Sequence, residues 1–289
     1  MRATRAIAAA ALVSAMCAGP PLDAQLRQLA ASRIVLATVK DTGERPLTEL
    51  GPDDFVIEEG GASRDVLSLH MADYPMGILL DDAGAAAKDA DAIRAAALRF
   101  VSKIGEREVA VGTLTDPTHL LVPFDAPRAD VVERIRQFKP SGGKAVPLQA
   151  SAALARAVLD TGSPFAAIVI ISAAPISASE ALDREYLTPI LATGAPIYVV
   201  ANRASEAGGT AATPGADDVL RAIAEQTHGQ YTVIYSAASY AVALDRLADR
   251  LSTEMMIEYL VPGAAPPAGD VRVGVRIPGA SATGLGVSK

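Results

Sequence analysis

The fold follows from residues 76–114, which open with the sequence MGILLDDAGA over Met76–Ala85. Met76–Leu80 is a short apolar run without alternation, which is typical of a strand buried on both faces. Apolar residues then recur at helical spacing across Asp89–Ile104, and Val109–Leu114 is again a compact apolar run. A strand, a helix and a second strand in this order predict a βαβ unit with parallel strands.

The same alternation continues to residue 254. Strands are predicted at Ala166–Ile171, Ile197–Ala201 and Tyr231–Tyr235, and helices at Arg128–Phe138, Leu148–Leu159, Glu180–Leu191, Asp217–Thr227 and Tyr240–Leu251. Gly229 is expected to cap the helix that precedes it. We therefore predict an α/β fold with a doubly wound, mainly parallel sheet flanked by helices. In such sheets ligands bind at the carboxyl ends of the strands.

The flanking segments indicate antiparallel strands instead. Residues 32–73 predict a small β unit, because β-branched runs alternate there with turn residues. The predicted α/β domain spans 75–254. Two strand-like runs within 255–278 are expected to pack with the N-terminal unit, and the small, polar residues 279–289 are expected to form a flexible tail.

The N-terminal segment has the features of a secretory signal peptide, assigned here to residues 1–24. Arg2 and Arg5 precede an apolar stretch over 6–18 that is too short to span a bilayer comfortably. Cleavage near residue 18 or after Ala24, lipidation of Cys17 and an N-terminal core helix are alternatives. We predict an exported protein, periplasmic or secreted, without membrane insertion after signal removal. The mature chain would contain no cysteine and hence no disulfide or thiol nucleophile.

Composition excludes several classes of function. The 289 residues are 50% hydrophobic and 20% charged, as in an ordered globular protein. Lys and Arg total 26 against 33 Asp and Glu, a net charge of −7, which argues against nucleic acid and anionic membrane surfaces as partners. Trp is absent and aromatic residues make up 4%, so stacking platforms for bases are not expected.

Residues suited to catalysis are scattered. His70, His119 and His228 lie far apart without metal-ligand spacing, and neither H-E-x-x-H nor G-x-S-x-G occurs. The segment Ser141–Lys144 is only distantly similar to a phosphate-binding loop, and Ala145 stands where that loop needs a hydroxyl. We therefore predict neither an enzyme nor a bound cofactor.

Three further segments stand in a specific order around the α/β region. They are DTG at Asp41–Gly43 with LGPDDFVIEEG at Leu50–Gly60, IAEQTHGQY at Ile223–Tyr231, and IEYLVP at Ile257–Pro262. Together with the loop after the first buried strand, they resemble the von Willebrand factor A family, in the form found in bacterial exported proteins. The resemblance covers roughly residues 33–277. It implies a Rossmann-like fold and a module that binds other proteins.

The family's characteristic site is a metal-ion-dependent adhesion site, built on an Asp-x-Ser-x-Ser loop, a Thr and a second Asp. Mg²⁺ prefers such hydroxyl and carboxylate oxygens in an octahedral shell. Matched to this pattern, the chain keeps Asp81, places Ala83 and Ala85 at the serine positions, Lys144 at the threonine position and Ala173 at the aspartate position. The resemblance therefore implies a degenerate site that holds no metal.

Two interpretations of the Lys144 position are open. Its ammonium group pairs with Asp81 or Asp82 and takes the space of the ion, or it points into solvent from a glycine-rich loop. Asp82, Asp116 and Ser172 are expected at the same edge of the sheet. An alternative site for a cation would use Asp81, Asp82 and Asp116.

These observations predict an exported, non-catalytic protein-binding module that serves adhesion, interaction or scaffolding. The alternative is a metal-dependent adhesion module with a non-standard cation site, and a diverged scaffold protein is a third possibility. The sequence carries no signal for the identity of the protein partner or for the oligomeric state.

Overall fold

The computed structural model describes residues 30–118, 120–174, 176, 184–204, 218–263 and 269–288. The predicted signal peptide, His119 and the start of the helix predicted over Glu180–Leu191 lie outside these residues. None of the helices in the described ranges is long and apolar enough to cross a membrane.

The elements are numbered in chain order. The strands are β1 (Ala30–Lys40), β2 (Phe55–Glu59), β3 (Ala62–Arg64), β4 (Val66–Met71), β5 (Met76–Leu80), β6 (Val109–Thr113), β7 (Leu120–Val122), β8 (Ala167–Ser172), β9 (Ile197–Asn202), β10 (Gln230–Ile234), β11 (Met255–Pro262), β12 (Val271–Val275) and β13 (Ser281–Val287). The α-helices are α1 (Ala90–Lys103), α2 (Arg128–Arg136), α3 (Pro147–Asp160), α4 (Arg184–Ala192), α5 (Val219–Gln226) and α6 (Ser239–Leu251).

A six-stranded sheet forms the centre of the molecule, with the order β10-β9-β8-β5-β6-β7. Its neighbouring strands are parallel except for β7, which runs antiparallel to β6. Every residue of β5, β6, β8 and β9 is buried. These strands are covered on both faces, which explains their unbroken apolar sequences. The predicted α/β fold with a mainly parallel sheet is confirmed.

Helices cover both faces of this sheet and create two apolar cores. On one face α1, α2 and α6 pack against side chains such as Ile78 and Val169. On the other face α3, α4 and α5 pack against the alternate residues of the same strands, including Leu79 and Ile168. The helical spacing read from the sequence therefore marks the faces that are buried.

The chain ends form two antiparallel sheets beside the central one. Their orders are β13-β1-β11-β4 and β12-β2-β3. Between them lies a third core, to which Val35, Phe55, Ile57 and Tyr259 contribute. The expected antiparallel sheets of N- and C-terminal strands are thus present. The expectation of a flexible tail over 279–289 is corrected for 281–287, because these residues pair with β1 as strand β13, with Thr38 opposite Thr283.

The end of α5 differs from the predicted glycine cap. His228 has the left-handed backbone conformation, with φ of 56°, and donates its amide to the Glu225 carbonyl. Gly229 donates its amide to the Ala224 carbonyl at 2.8 Å, which completes a Schellman motif with His228 at its left-handed position. Gly229 is needed for another reason. A Cβ at this position would lie 1.9 Å from the Ile197 carbonyl oxygen.

Two chain crossings connect the central layer to the antiparallel sheets, at residues 72–75 and 252–254. They are tied together, because the Ala72 amide donates to the Glu254 carbonyl at 2.8 Å and the Tyr74 hydroxyl donates to Glu254 Oε2 at 2.5 Å. Arg107 stacks over the Tyr74 ring, with its guanidinium carbon 4.4 Å from the centroid. The crossings therefore share one buried cluster of charged and aromatic groups.

This cluster predicts an unusual pH dependence. Burial raises the pKa of the Glu254 carboxyl above its ordinary value of 4.5, so the folded state binds the proton more tightly than the unfolded state. The stability from this group is complete below the unfolded pKa and is lost as pH rises through the folded pKa. We expect Glu254→Gln to gain stability relative to the native protein as the pH rises above about 4.5, measured by urea unfolding. A stability difference between the two proteins that does not vary with pH would contradict a raised pKa of Glu254. The control is Glu133→Gln, at an exposed site on α2.

Candidate functional site

The carboxyl ends of β5, β6, β8 and β9 meet at one edge of the central sheet, because these strands are parallel. We call this edge the rim. It consists of residues 81–89, 114–118, 141–146, 172–174 and 202–204.

Asp81 joins two loops of the rim and is 1% exposed. Its Oδ1 accepts a hydrogen bond from the Ala83 amide at 3.1 Å, and its Oδ2 accepts one from the Ala173 amide at 2.8 Å. Burial raises the pKa of Asp81, while the two amide hydrogen bonds act in the opposite direction. The carboxylate of Asp81 therefore fixes the loop after β5 to the loop after β8.

Asp82 joins three loops and is 4% exposed. Its Oδ1 accepts from the Thr115 amide at 3.0 Å, and its Oδ2 accepts from the Thr115 hydroxyl at 2.6 Å. Its backbone carbonyl accepts from the amides of Ser141 and Gly142 at 2.8 and 3.2 Å. All four carboxylate oxygens of Asp81 and Asp82 thus accept hydrogen bonds from the protein.

The other predicted rim residues are arranged around these two carboxylates. Ala173 supplies the amide that binds Asp81, and the Ser172 hydroxyl donates to the Ala174 carbonyl at 2.9 Å. Ala85 and Asp116 are exposed, and Ala83 is half-buried. The structure therefore joins Asp81 to Ala173 by a hydrogen bond, and it joins Asp82 to Thr115 instead. Ala85 and Asp116 stay exposed at the rim.

Lys144 lies on the loop between α2 and α3 and is exposed. Its backbone carbonyl accepts from the Asp116 amide at 3.4 Å, and the next residue, Ala145, forms a β-bridge with Thr115. These backbone contacts hold the loop against the end of β6. The pairing of the Lys144 ammonium with Asp81 or Asp82 stays a prediction.

A buried ion pair at the rim was not predicted from the sequence. Arg203 follows β9 and is 0% exposed, and its guanidinium contacts Asp218 Oδ2. Arg203 also donates to the Tyr231 hydroxyl at 3.1 Å and to the Asn202 carbonyl at 2.7 Å. The Tyr231 hydroxyl donates to Asp218 at 2.7 Å. Asp218 in turn caps α5 by accepting the Leu220 amide at 3.0 Å.

Two further buried hydrogen bonds join elements in the same part of the molecule. Asn202 donates its side-chain amide to Asp89 Oδ2 at 2.8 Å, and Tyr240 donates its hydroxyl to the Ser172 carbonyl at 2.8 Å. The positive charge of Arg203 lowers the pKa of Asp81, although burial has the larger effect on it. The one sequence signal for this network is an arginine directly after a strongly apolar strand.

Comparisons with known proteins give structural likeness only. No family profile and no curated protein matches the sequence. Similar solved structures include BatB from Bacteroides thetaiotaomicron (14% identity, TM-score 0.49, covering 62% of this chain and 98% of that chain). They also include a von Willebrand factor type A protein from Catenulispora acidiphila (13% identity, TM-score 0.48, covering 90% of this chain and 72% of that chain). An aerotolerance-related membrane protein from Bacteroides fragilis is similar as well (14% identity, TM-score 0.47, covering 61% of this chain and 99% of that chain). Structural neighbours thus include a protein of the family that the sequence resembles.

Proposed function

We propose that this chain is an exported, non-catalytic protein-binding module of von Willebrand factor A type, whose rim contacts a protein partner without a divalent cation. One observation carries the proposal. The four carboxylate oxygens of Asp81 and Asp82 are engaged by amides and a hydroxyl of the protein itself. The negative charges of Asp81 and Asp82 therefore hold loops of the rim together.

The residues present do not fit an octahedral Mg²⁺ site. Such an ion needs about six oxygen ligands at about 2.0–2.1 Å. Ala83, Ala85 and Ala173 supply no side-chain oxygen at positions where the family's site has one. Lys144 places a positively charged ammonium group at the position of the family's threonine. Within the described ranges no group of three or more His, Cys, Asp or Glu is placed to hold a metal ion.

The exposed surface of the rim suits contact with another protein. Gly84, Ala85 and Gly142 are exposed small residues, and Lys144 and Asp116 add one charge of each sign. The two histidines within the described residues lie elsewhere. His70 is in β4. His228 precedes the amino end of β10, and the amino ends of the parallel strands lie opposite the rim. The exposed small and charged residues of the rim, with both of these histidines away from it, support a function in binding.

A thermal test follows directly. We expect the melting temperature of the protein to stay within about 1 °C when EDTA is replaced by millimolar Mg²⁺, Mn²⁺ or Ca²⁺. An ion at 100 times its Kd would stabilise the fold by about 2.7 kcal/mol, a shift of a few degrees. A saturable shift that Asp116→Ala abolishes would instead establish the alternative, a metal-dependent adhesion module using Asp81, Asp82 and Asp116.

Partner contact is tested by photo-crosslinking in the native host. A crosslinker at Ala85 or Asp116 should give a protein adduct that EDTA leaves unchanged, whereas one at exposed Arg272 of β12 should not. Loss of the adduct in EDTA, or equal adducts at all three positions, would refute a metal-independent rim.

Export is supported by the basic start and the short apolar stretch over 6–18. We expect the protein outside the cytoplasm with a new N-terminus near residue 18 or 25, which mass spectrometry of the purified protein checks. An intact Met1 on a cytoplasmic protein would contradict export.

A further inference from the structure

A groove of about 490 Å³ lies away from the rim, between α6 and the edge strand β10. Its floor is formed by side chains on one face of the sheet, among them Val200, Thr232 and Ile234. Its wall is the face of α6 that carries Val242 and Leu247. Val242 is 53% exposed, so apolar surface of α6 is accessible to solvent beside the edge strand β10.

The second feature of this region is the outer edge of β10. β10 pairs with β9, and none of the described strands pairs with its other side. The Arg203 amide donates to the Ile234 carbonyl at 2.8 Å, so Ile234 faces β9. By alternation, Tyr231 and Val233 direct their amides and carbonyls outward. β10 contains no charged residue, proline or bulge, which are the usual protections of an edge strand. At the opposite edge, β7 has only three residues and Pro123 follows it.

The wall of the groove is positively charged. Arg246 and Arg250 lie four residues apart on α6, and both are exposed. Arg250 donates to the Gln230 side chain at 2.8 Å, next to the start of β10. Asp245 and Asp249 of the same helix point to α1 and form ion pairs there. No acidic side chain is found among the described residues that line the groove.

We propose that this groove binds an extended, acidic segment of a partner protein, which adds as a strand to the free edge of β10. Four residues of helix rise about 6 Å, and two residues of a strand span about 6.6–6.8 Å. Arg246 and Arg250 therefore match two acidic side chains at alternate positions of the added strand. The next residue on the same face would lie near Val242 and Ile234, where an apolar side chain fits.

This binding mode combines main-chain pairing with side-chain selection. The outward amides and carbonyls of Tyr231 and Val233 would pair with the backbone of the segment, as in other cases of strand addition. The two arginines would select for acidic residues. The groove is separate from the rim, so the proposal goes beyond the proposed function, and either can fail without the other.

The test uses the full chain and the labelled peptide Val-Thr-Glu-Thr-Glu-Thr-Val, whose symmetry presents the same pattern in both strand directions. We expect saturable binding in fluorescence anisotropy, and a loss of affinity of at least about tenfold in Arg246→Glu/Arg250→Glu. Arg246→Glu alone should weaken binding by about two- to fivefold. The double variant Arg136→Glu/Arg272→Glu, which changes the net charge equally at exposed sites outside the groove, should bind like the native protein.

Two altered peptides separate the contributions of backbone and side chains. A peptide N-methylated at two successive central residues should lose binding, because at least one amide facing β10 is removed in either direction. A peptide with Lys in place of Glu should also lose binding. On binding of the Glu peptide, hydrogen exchange of the Tyr231 and Val233 amides should slow.

Three results would overturn the proposal. They are undiminished binding of the methylated peptide, undiminished binding of the Lys peptide, and no saturable binding of the Glu peptide up to about 1 mM. Melting temperatures of all variants show whether they are folded, so loss of binding is not confused with loss of structure.

Discussion

Replacing Arg203 with Met is expected to lower the free energy of unfolding by about 3–5 kcal/mol. Arg203 and Asp218 both have 0% side-chain exposure and form an ion pair. Removing the arginine leaves the Asp218 charge buried with the Tyr231 hydroxyl and the Leu220 amide as its hydrogen-bond donors. Breaking a buried pair by removing one partner typically costs this amount, since an uncompensated charge remains in the interior. Urea unfolding followed by circular dichroism measures the change.

The companion variant for this experiment is Arg203→Met/Asp218→Asn. Asparagine keeps an oxygen for the Leu220 amide but carries no charge, so the double variant should recover part of the stability lost in Arg203→Met. Arg272→Met, at a position with 74% side-chain exposure, should leave stability nearly unchanged. Strictly additive losses in the double variant would show that the two charges are not coupled.

Gly229→Ala is expected to cost about 3 kcal/mol of unfolding free energy, the upper end of the usual range for overpacking, or to prevent accumulation of folded protein. The added Cβ would lie 1.9 Å from the oxygen, 2.5 Å from the carbon and 2.7 Å from the nitrogen of Ile197. Because all three are backbone atoms at the start of β9, no side-chain rotation relieves the overlap, and overpacking against a rigid neighbour is strongly destabilising.

Melting temperature and soluble yield measure the effect of Gly229→Ala. The matched control is Gly269→Ala, since a Cβ at Gly269 meets no atom of the described residues within 4 Å. A Gly229→Ala protein that melts like the control would mean that β9 and the end of α5 are further apart than described.

The central sheet could be predicted because burial on both faces leaves a strong sequence signal. Met76–Leu80 has the bounds that its apolar run predicts, and Ile197–Asn202 extends that prediction by one residue. Two strands that were not predicted, β7 and β13, leave a weaker signal in the sequence. β7 has three residues, too few for a period to appear, and β13 is rich in Gly, Ser and Thr. β13 is a strand because β1 offers it a partner, and a local pattern does not contain that information.

The rim could be predicted in part for a similar reason. Asp81 and Asp82 follow directly on a buried strand, so their position at the carboxyl edge is a local property of the sequence. Apart from the Ala83 amide, their hydrogen-bond partners are not local, because Thr115 and Ala173 follow other strands. The pair of Arg203 and Asp218 was missed because neither residue signals the other, and burial of charge depends on the packing around both.

The arrangement of the chain ends has a consequence for biosynthesis. β1 is made early, but its neighbour β11 begins at Met255, which pairs with Ala37. At about 5–20 residues per second, β1 waits roughly 10–45 s for this partner to leave the ribosome. Throughout that interval both its edges are unpaired, and an apolar strand with free edges is prone to aggregation. The newly made chain should therefore depend on a chaperone that covers its first strand until the last ones emerge.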